Sequence, residues 1–272
     1  MPDNDSADQR GSAVSGSLGV GPEFSVEQSG QGHSENLTGS SEKLTGSSAG
    51  GSCSEPSSAQ HVESAQHVEE EPVAAALLFG NSIERARQFT NDLARFGEEL
   101  GLIGPLELPR LWSRHILNCV LLAPLVKPGR VGDVGSGAGL PGLVLAIARP
   151  DVQFILIEPM ERRVDWLRRQ AAGLELDNVE VVRSRAEDAK FSPWLDQVTA
   201  RAVSALTTLI PMTAPLVRSG GELLFLKGAS VEKELTSAAK VMKRARLSNV
   251  EILLLGADMP DGVTRAFRAT VD

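Results

Sequence analysis

The chain has 272 residues, a formal net charge of −8 at pH 7 and only two cysteines, Cys53 and Cys119. Two cysteines exclude a disulfide framework, and no apolar run approaches the ~20 residues of a transmembrane helix. No basic and apolar signal pattern opens the chain, so we expect a soluble cytoplasmic protein.

Residues 1–72 have a different composition from the rest of the chain. They are rich in Ser, Gly, Glu and Gln, and they cannot bury enough apolar surface to offset the entropy of ordering. The sequence therefore predicts a disordered acidic tail. It holds 12 acids and two bases, a charge of −10, which leaves +2 on residues 73–272. A weakly basic folded part permits contact with RNA without establishing it.

Residues 73–127 show helical periodicity and predict a small helical cap. A first helix begins near Ile83, and a second runs from Pro109 to about Leu125. The first has one apolar face, which consists of Ile83, Ala86, Phe89, Thr90, Leu93, Phe96 and Leu100.

Residues 128–272 alternate between strand and helix patterns, which predicts a Rossmann-like α/β core with a parallel sheet. Two further β-rich runs close the chain around Pro260-Asp-Gly262 and predict a hairpin. The predicted strands are Arg130–Val134, Val152–Glu158, Val179–Ser184, Val198–Ala202, Glu222–Lys227, Val250–Leu255 and Arg265–Val271.

The first predicted strand leads into a glycine-rich turn, Asp133-Val-Gly-Ser-Gly-Ala-Gly-Leu-Pro-Gly142. Glycines at alternate positions allow positive φ and let backbone amides approach a ligand. No Lys-Ser/Thr pair follows, so a phosphate-binding loop for a nucleoside triphosphate is excluded. The turn residues expected to bind a cofactor are Asp133, Gly135, Gly137, Gly139 and Leu140.

Two cofactors fit this turn. Gly137, Gly139 and Gly142 spell G-x-G-x-x-G, and Glu158 lies where an acid would bind the ribose of a dinucleotide. S-adenosylmethionine is favoured because Asp133 stands ahead of the glycines and can meet the amino-acid end of that cationic ligand. Under either interpretation, the Glu158 carboxylate accepts hydrogen bonds from ribose hydroxyls.

The order and spacing of five motifs resemble the bacterial small-subunit rRNA methyltransferases once called glucose-inhibited division protein B. The resemblance covers residues 80–272. This chain departs from the family at two places. The family often has an acid where Asn118 stands, and it has an Asn-Leu-Thr element where this chain has residues Gly101 to Pro109. The motifs are Arg114-His-Ile-Leu-Asn118, Asp133 to Gly142, Ser184-Arg-Ala-Glu187, Arg201-Ala and Leu226-Lys-Gly228.

The resemblance implies an enzyme that makes 7-methylguanosine in 16S rRNA with S-adenosyl-L-methionine as cofactor. It places Ala186 and Glu187 beside the adenine, and it implies that Arg201 also touches the cofactor. Arg185, Arg201 and Lys227 each stand at or just past a strand end, where a parallel sheet binds its ligands. We assign these three bases to substrate positioning; His115 is a weaker candidate.

The chemistry requires little more than alignment. Guanine N7 carries a lone pair and no proton, so no general base is needed and no metal is implied. The sequence also lacks the Asn/Asp-Pro-Pro-aromatic tetrapeptide of exocyclic-amine methyltransferases and a catalytic cysteine suited to C5 methylation. The resemblance implies that the partner is 16S rRNA, within the 30S subunit or a precursor, and we expect recognition by shape.

Two other classes stay open on sequence alone. A nicotinamide-dependent oxidoreductase would use the same glycines with Glu158, but it would need a proton donor near the nicotinamide. A non-enzymatic ribosome-assembly factor would keep the basic edge and bind S-adenosylmethionine poorly. The sequence does not decide the oligomeric state.

Overall fold

The computed structural model describes residues 67–257 and 263–272. Most of the predicted tail and the predicted hairpin tip, Pro260-Asp-Gly262, therefore lie outside the described residues. No helix within the two described ranges is both long enough and apolar enough to span a membrane.

The helical cap begins with α1 (Val73–Phe79), a 3₁₀ turn (Gly80–Ser82) and α2 (Ile83–Phe96). The buried residues of α2 belong to the face that the periodicity predicts, which is confirmed. They are Ala86, Phe89, Thr90 and Leu93.

Residues 67–72, which the sequence places at the end of the tail, contact the cap. The N–H of Glu69 donates to the carbonyl of Leu108 at 3.0 Å. The Glu69 carboxylate accepts from the N–H of Ser113 at 3.0 Å, and Glu71 accepts from Arg87 Nε at 2.6 Å. These contacts fix the segment that leads into α1.

The second cap segment is not the continuous helix predicted from Pro109. It consists of a 3₁₀ segment (Pro105–Arg110), a π-helical segment (Leu111–Leu117), the short helix α3 (Asn118–Val120) and a 3₁₀ turn (Ala123–Leu125). The segment begins at Pro105, so Pro109 lies inside it. Without an N–H, Pro109 cannot bond to the carbonyl four residues earlier, and the chain starts in the tighter form. The π segment carries Arg114 and His115.

The core is a seven-stranded sheet in the order β3-β2-β1-β4-β5-β7-β6. The first five strands are parallel, and β7 is antiparallel to both of its neighbours, so the predicted hairpin pairing is confirmed. The strands are β1 (Arg130–Val134), β2 (Gln153–Ile157), β3 (Val179–Val182), β4 (Leu195–Arg201), β5 (Val217–Lys227), β6 (Leu247–Leu255) and β7 (Thr264–Val271).

Strand β5 begins five residues before the predicted Glu222, because Ser219-Gly-Gly221 does not end it. The pairing of β5 with β4 shifts register between Leu195 and Gln197, so the sheet accommodates these residues as an irregularity. Turn-like composition alone misses this extension.

Helices cover both faces of the sheet. Apolar side chains of α2, α4 and α5 form one buried cluster, and those of α6 and α7 belong to a second. This arrangement confirms the predicted Rossmann-like α/β class. The remaining helices are α4 (Gly142–Ala148), α5 (Glu161–Gly173), α6 (Leu206–Thr213) and α7 (Val231–Arg244).

Candidate functional site at the carboxyl edge of the sheet

The glycine-rich turn leaves β1 at the carboxyl edge of the sheet and leads into α4. Gly135, Gly137 and Gly139 have φ values of 70°, 55° and 94°, as the alternating glycines predict. The N–H of Gly135 donates to Ile157 O at 2.9 Å, and Trp166 Nε1 donates to Ala138 O at 3.0 Å. Strand β2 and helix α5 therefore hold the turn from both sides.

Glu158 follows β2 and meets the turn directly. Its Oε2 accepts from the N–H of Gly137 at 3.0 Å, and its Oε1 accepts from the N–H of Met160 at 3.0 Å. This confirms that Glu158 and the glycine turn share one edge. The residue is only 2% exposed. Each carboxylate oxygen has a second lone pair, so each can also accept a hydrogen bond from a ribose hydroxyl.

Asp133 lies behind the turn, with no exposed surface. Its Oδ2 accepts from the N–H of Gly142 at the start of α4, at 3.0 Å. Its Oδ1 accepts no hydrogen bond from any residue that the structure describes. Burial raises the pKa of the Asp133 carboxyl to about 7, and the Ser136 hydroxyl and the N–H of Gly142 offset only part of that effect. Asp133 thus holds the turn from beneath and does not line the cleft above it.

The pKa of Asp133 gives a pH-dependent prediction. A folded-state pKa above the unfolded value means that the contribution of Asp133 to stability falls as pH rises from about 4 to about 7. Asp133→Asn keeps an acceptor for Gly142 and removes the buried charge. The difference in free energy of unfolding, variant minus wild type, should therefore rise by about 3 kcal/mol from pH 5 to pH 8. Denaturant titrations at both pH values test this, and an unchanged difference would contradict it.

Two clefts open at this edge. The first, of about 360 Å³, is called the turn cleft. The second, of about 420 Å³ and beyond the end of β5, is called the strand-end cleft. Arg114, Arg201 and Ala202 line both clefts, so the two adjoin at these residues. Other residues that line the turn cleft include Leu102, Gly135, Gly137, Leu140 and Arg163. Other residues that line the strand-end cleft include Asn118, Lys227, Thr264 and Arg265.

Arg201 ends β4 and is held by the cap. Its Nη2 lies 2.7 Å from His115 Nδ1, and its Nη1 donates to His115 O at 3.2 Å and to Cys119 Sγ at 3.3 Å. Glu107 Oε2 lies 2.6 Å from the other ring nitrogen of His115. Burial lowers the pKa of His115 to about 4, and the neighbouring Arg201 charge adds to that effect.

Lys227 ends β5 and is largely buried, with 9% of its side chain exposed. Its Nζ pairs with Glu234 Oε2 at 2.7 Å and donates to Ser204 O at 3.0 Å. Among the described residues, two of the three ammonium donors are thus engaged, and the third has no partner there and can donate to a ligand.

Arg185, Ala186 and Glu187 follow β3, at the same edge but farther along it. Arg185 and Glu187 are exposed, while Ala186 is buried. Strands β2 and β1 separate β3 from β4, about 14 Å across the sheet. The structure therefore brings Arg201 and Lys227 together in one cleft and leaves Arg185 outside both.

The sequence did not single out several residues that line these clefts. Arg163 on α5 lines the turn cleft, and its Nε has no hydrogen-bond partner among the described residues. Asn118 Oδ1 accepts from Thr264 Oγ1 at 2.5 Å, which links the cap to β7. Arg114 and His115 stood within a recognised motif, but Glu107 and Arg163 carried no signal. Only the fold brings them to the edge.

The family model and the named relatives agree on one family. The model of the rRNA small subunit methyltransferase G family matches residues 82–259. The chain belongs to this family. The ribosomal RNA small subunit methyltransferase G of Leifsonia xyli subsp. xyli is 63% identical over 204 residues, covering 75% of this chain and 98% of that protein. The protein of the same name from Clavibacter sepedonicus is 62% identical over 204 residues, covering 75% and 97%.

Among solved structures, P. horikoshii TYW2 in complex with MeSAdo has a TM-score of 0.47 and 16% identity, covering 58% of this chain and 63% of that one. Family membership confirms the resemblance seen in the sequence. The protein is an S-adenosylmethionine-dependent rRNA methyltransferase. This result excludes both the oxidoreductase and the non-enzymatic factor.

The residues of the turn cleft fit the cofactor. A Cβ added to Gly137 would meet only Gly135 O, at 3.7 Å, so the face of the turn at this position is open to a ligand. The Arg163 guanidinium suits the carboxylate of the cofactor, and Leu102 and Leu140 supply apolar surface. In the described ranges, no three His, Cys, Asp or Glu side chains are grouped as metal ligands.

Proposed function

We propose that the enzyme transfers the methyl group of S-adenosyl-L-methionine to N7 of one guanine in 16S rRNA. The observation that carries this proposal is the shared wall of the two clefts, formed by Arg114, Arg201 and Ala202. A cofactor in the turn cleft and a base in the strand-end cleft would meet at Arg201.

On the cofactor side, Gly135, Gly137 and Leu140 line the turn cleft, and Gly139 belongs to the same turn. Glu158 binds the ribose, and Ala186 and Glu187 lie toward the adenine. Asp133 acts through the turn, because it is fully buried and bonded to the N–H of Gly142. Arg201 contacts both the cofactor and the base.

On the substrate side, the strand-end cleft offers cations to the guanine O6 and to neighbouring phosphates. Arg114, Arg201, Lys227 and Arg265 line it, and no acidic side chain of residues 67–257 or 263–272 does. Arginine and lysine donate well to both kinds of oxygen. Arg185 contributes farther along the edge, where an extended RNA would pass.

The cofactor supplies an electrophilic methyl group, and the protein supplies alignment. Guanine N7 has no proton to lose, so the site needs no general base. Fixed cations that hold the base in line with the methyl group lower the barrier through proximity. His115, with its low pKa, is neutral near pH 7 and is not the imidazolium form that a general acid would need.

We further propose that the substrate is the 30S subunit or a precursor, in the cytoplasm. The described fold has no appended RNA-binding module, so recognition depends on the shape of folded rRNA. Purified enzyme and labelled cofactor should methylate 30S subunits from a strain lacking the enzyme much faster than naked 16S rRNA. Equal rates on both would contradict this substrate form, and transfer to neither would contradict the proposed activity.

The Lys227 contacts predict coupled losses of activity and stability. Lys227→Ala removes a substrate cation and leaves Glu234, with 20% of its side chain exposed, without its partner. We expect slower methyl transfer and a stability loss of about 1–3 kcal/mol. The second change Glu234→Gln should restore much of the stability and none of the activity. Turnover of Lys227→Ala at the wild-type rate would remove Lys227 from the substrate site.

A further inference from the structure

A chain of three side chains crosses from the cap to the sheet edge. Glu107, in the 3₁₀ segment, lies 2.6 Å from His115 Nε2 through its Oε2. His115, in the π segment, lies 2.7 Å from Arg201 Nη2 through its Nδ1. Glu107, His115 and Arg201 all line the turn cleft, and Arg201 also lines the strand-end cleft. The chain therefore ends at the wall that the two clefts share.

The chemistry of the partners determines the tautomer of His115. A guanidinium has donors and no acceptor, so Nδ1 must carry a free lone pair toward Arg201. The neutral ring then has its proton on Nε2, which donates to the Glu107 carboxylate. The low pKa of His115 agrees with this neutral form, and the contact with Glu107 is a hydrogen bond rather than an ion pair.

Glu107 is itself held in place. It accepts from Arg110 Nη2 at 2.7 Å and lies 3.4 Å from Arg114 Nε. Burial opposes ionisation of Glu107, but its hydrogen bonds with His115 and Arg110 outweigh this effect and lower its pKa. The carboxylate is therefore charged at neutral pH and keeps the Nε2 proton facing it.

We propose that His115 is a positioning residue: fixed by Glu107 in the Nε2–H tautomer, it holds the Arg201 guanidinium between the cofactor and the guanine. This inference rests on the proposed function. His115 acts through Arg201 and takes no proton from the substrate. Loss of the Nδ1 acceptor should free Arg201 to turn away and should lower kcat more than it weakens cofactor binding.

Two substitutions separate the two ring nitrogens. His115→Asn places an amide oxygen near the position of Nδ1, so it keeps an acceptor for Arg201. His115→Gln reaches toward Glu107 and loses that acceptor. We expect His115→Gln to lower kcat by about 100-fold, with little change in KM for S-adenosylmethionine, and His115→Asn to retain much more activity. Thermal unfolding of both variants checks that the cap is intact.

A spectroscopic measurement tests the geometry without turnover. In ¹⁵N-histidine-labelled enzyme, His115 should show an unprotonated Nδ1 and a protonated Nε2; its signals are assigned among those of the four histidines by their loss in the His115→Asn variant. Equal kcat losses in the Asn and Gln variants, or a protonated Nδ1, would overturn the inference. Wild-type enzyme that binds cofactor and methylates no rRNA would overturn the proposed function instead, and the tautomer would still be measured.

Discussion

Replacing Arg201 by alanine is expected to lower kcat/KM for rRNA methylation by about 100- to 1000-fold, because fixed donors in a closed site contribute on this order. Arg201 is the only charged side chain besides Arg114 that lines both clefts among the described residues. Its guanidinium is held by His115 and Cys119 and is therefore pre-oriented. Single-turnover assays with 30S subunits measure the effect.

The matched control is Arg244→Ala. Arg244 is an exposed base in the last turn of α7 and lines neither cleft. The Arg244→Ala variant should methylate rRNA at the wild-type rate. Equal losses of kcat/KM in the two variants would mean that the effect comes from the net positive charge of the protein and not from the position of Arg201. Wild-type turnover in Arg201→Ala would show that Arg201 is not part of the site.

The second large effect is expected on stability, from Gly142→Ala at the start of α4. The added Cβ would overlap Leu156 Cδ2 and lie 2.5 Å from Asp133 Oδ2. Both neighbours are buried, so the turn must shift and the bond from Gly142 N–H to Asp133 is strained. We expect a loss of about 2 kcal/mol, or a melting temperature lower by about 5 °C, with weaker cofactor binding.

Gly173→Ala is the control for this substitution. Gly173 ends α5, and a Cβ there would meet nothing within 4 Å. This variant should match or exceed wild-type stability, since alanine favours helix more than glycine does. Thermal melts of both variants, with and without S-adenosylhomocysteine, compare their stability and their binding of the ligand. A Gly142→Ala variant as stable as Gly173→Ala would mean that the turn can shift at no cost.

The sequence predicts the sheet well, because buried parallel strands leave plain apolar runs between helical segments. It predicts the cap less well. The periodicity presents one helix from Pro109 to about Leu125, but the 3₁₀ segment ends at Arg110 and the hydrogen bonds then change to the π form. Strand β5 begins early because the sheet accommodates Ser219-Gly-Gly221 through a register shift. No local sequence pattern predicts this.

For the site, sequence reasoning finds what lies next to strand ends. Glu158, Arg201 and Lys227 were predicted at the carboxyl edge, and the topology places them there. Sequence reasoning does not predict which of these residues meet in one cleft. Arg185 follows β3, which lies three strands from β4, and it lines neither cleft. Glu107 is invisible in the sequence, because its role arises only when the cap meets the end of β4.

The cap and the sheet contribute different parts of the site. The sheet edge supplies the turn and the strand-end bases, and the cap supplies the partners of Arg201. The link between Asn118 and Thr264 ties the cap to the last strand beside the strand-end cleft. Asn118→Ala is therefore a sensible probe of cap position in future structural work.

The most direct test of the account is to identify the methylated nucleoside. Wild-type enzyme, labelled S-adenosylmethionine and 30S subunits from a strain lacking the enzyme are incubated, and the rRNA is digested and analysed by mass spectrometry. We expect label in 7-methylguanosine at one position of 16S rRNA. Label in any other nucleoside, or spread over many guanines, would contradict it.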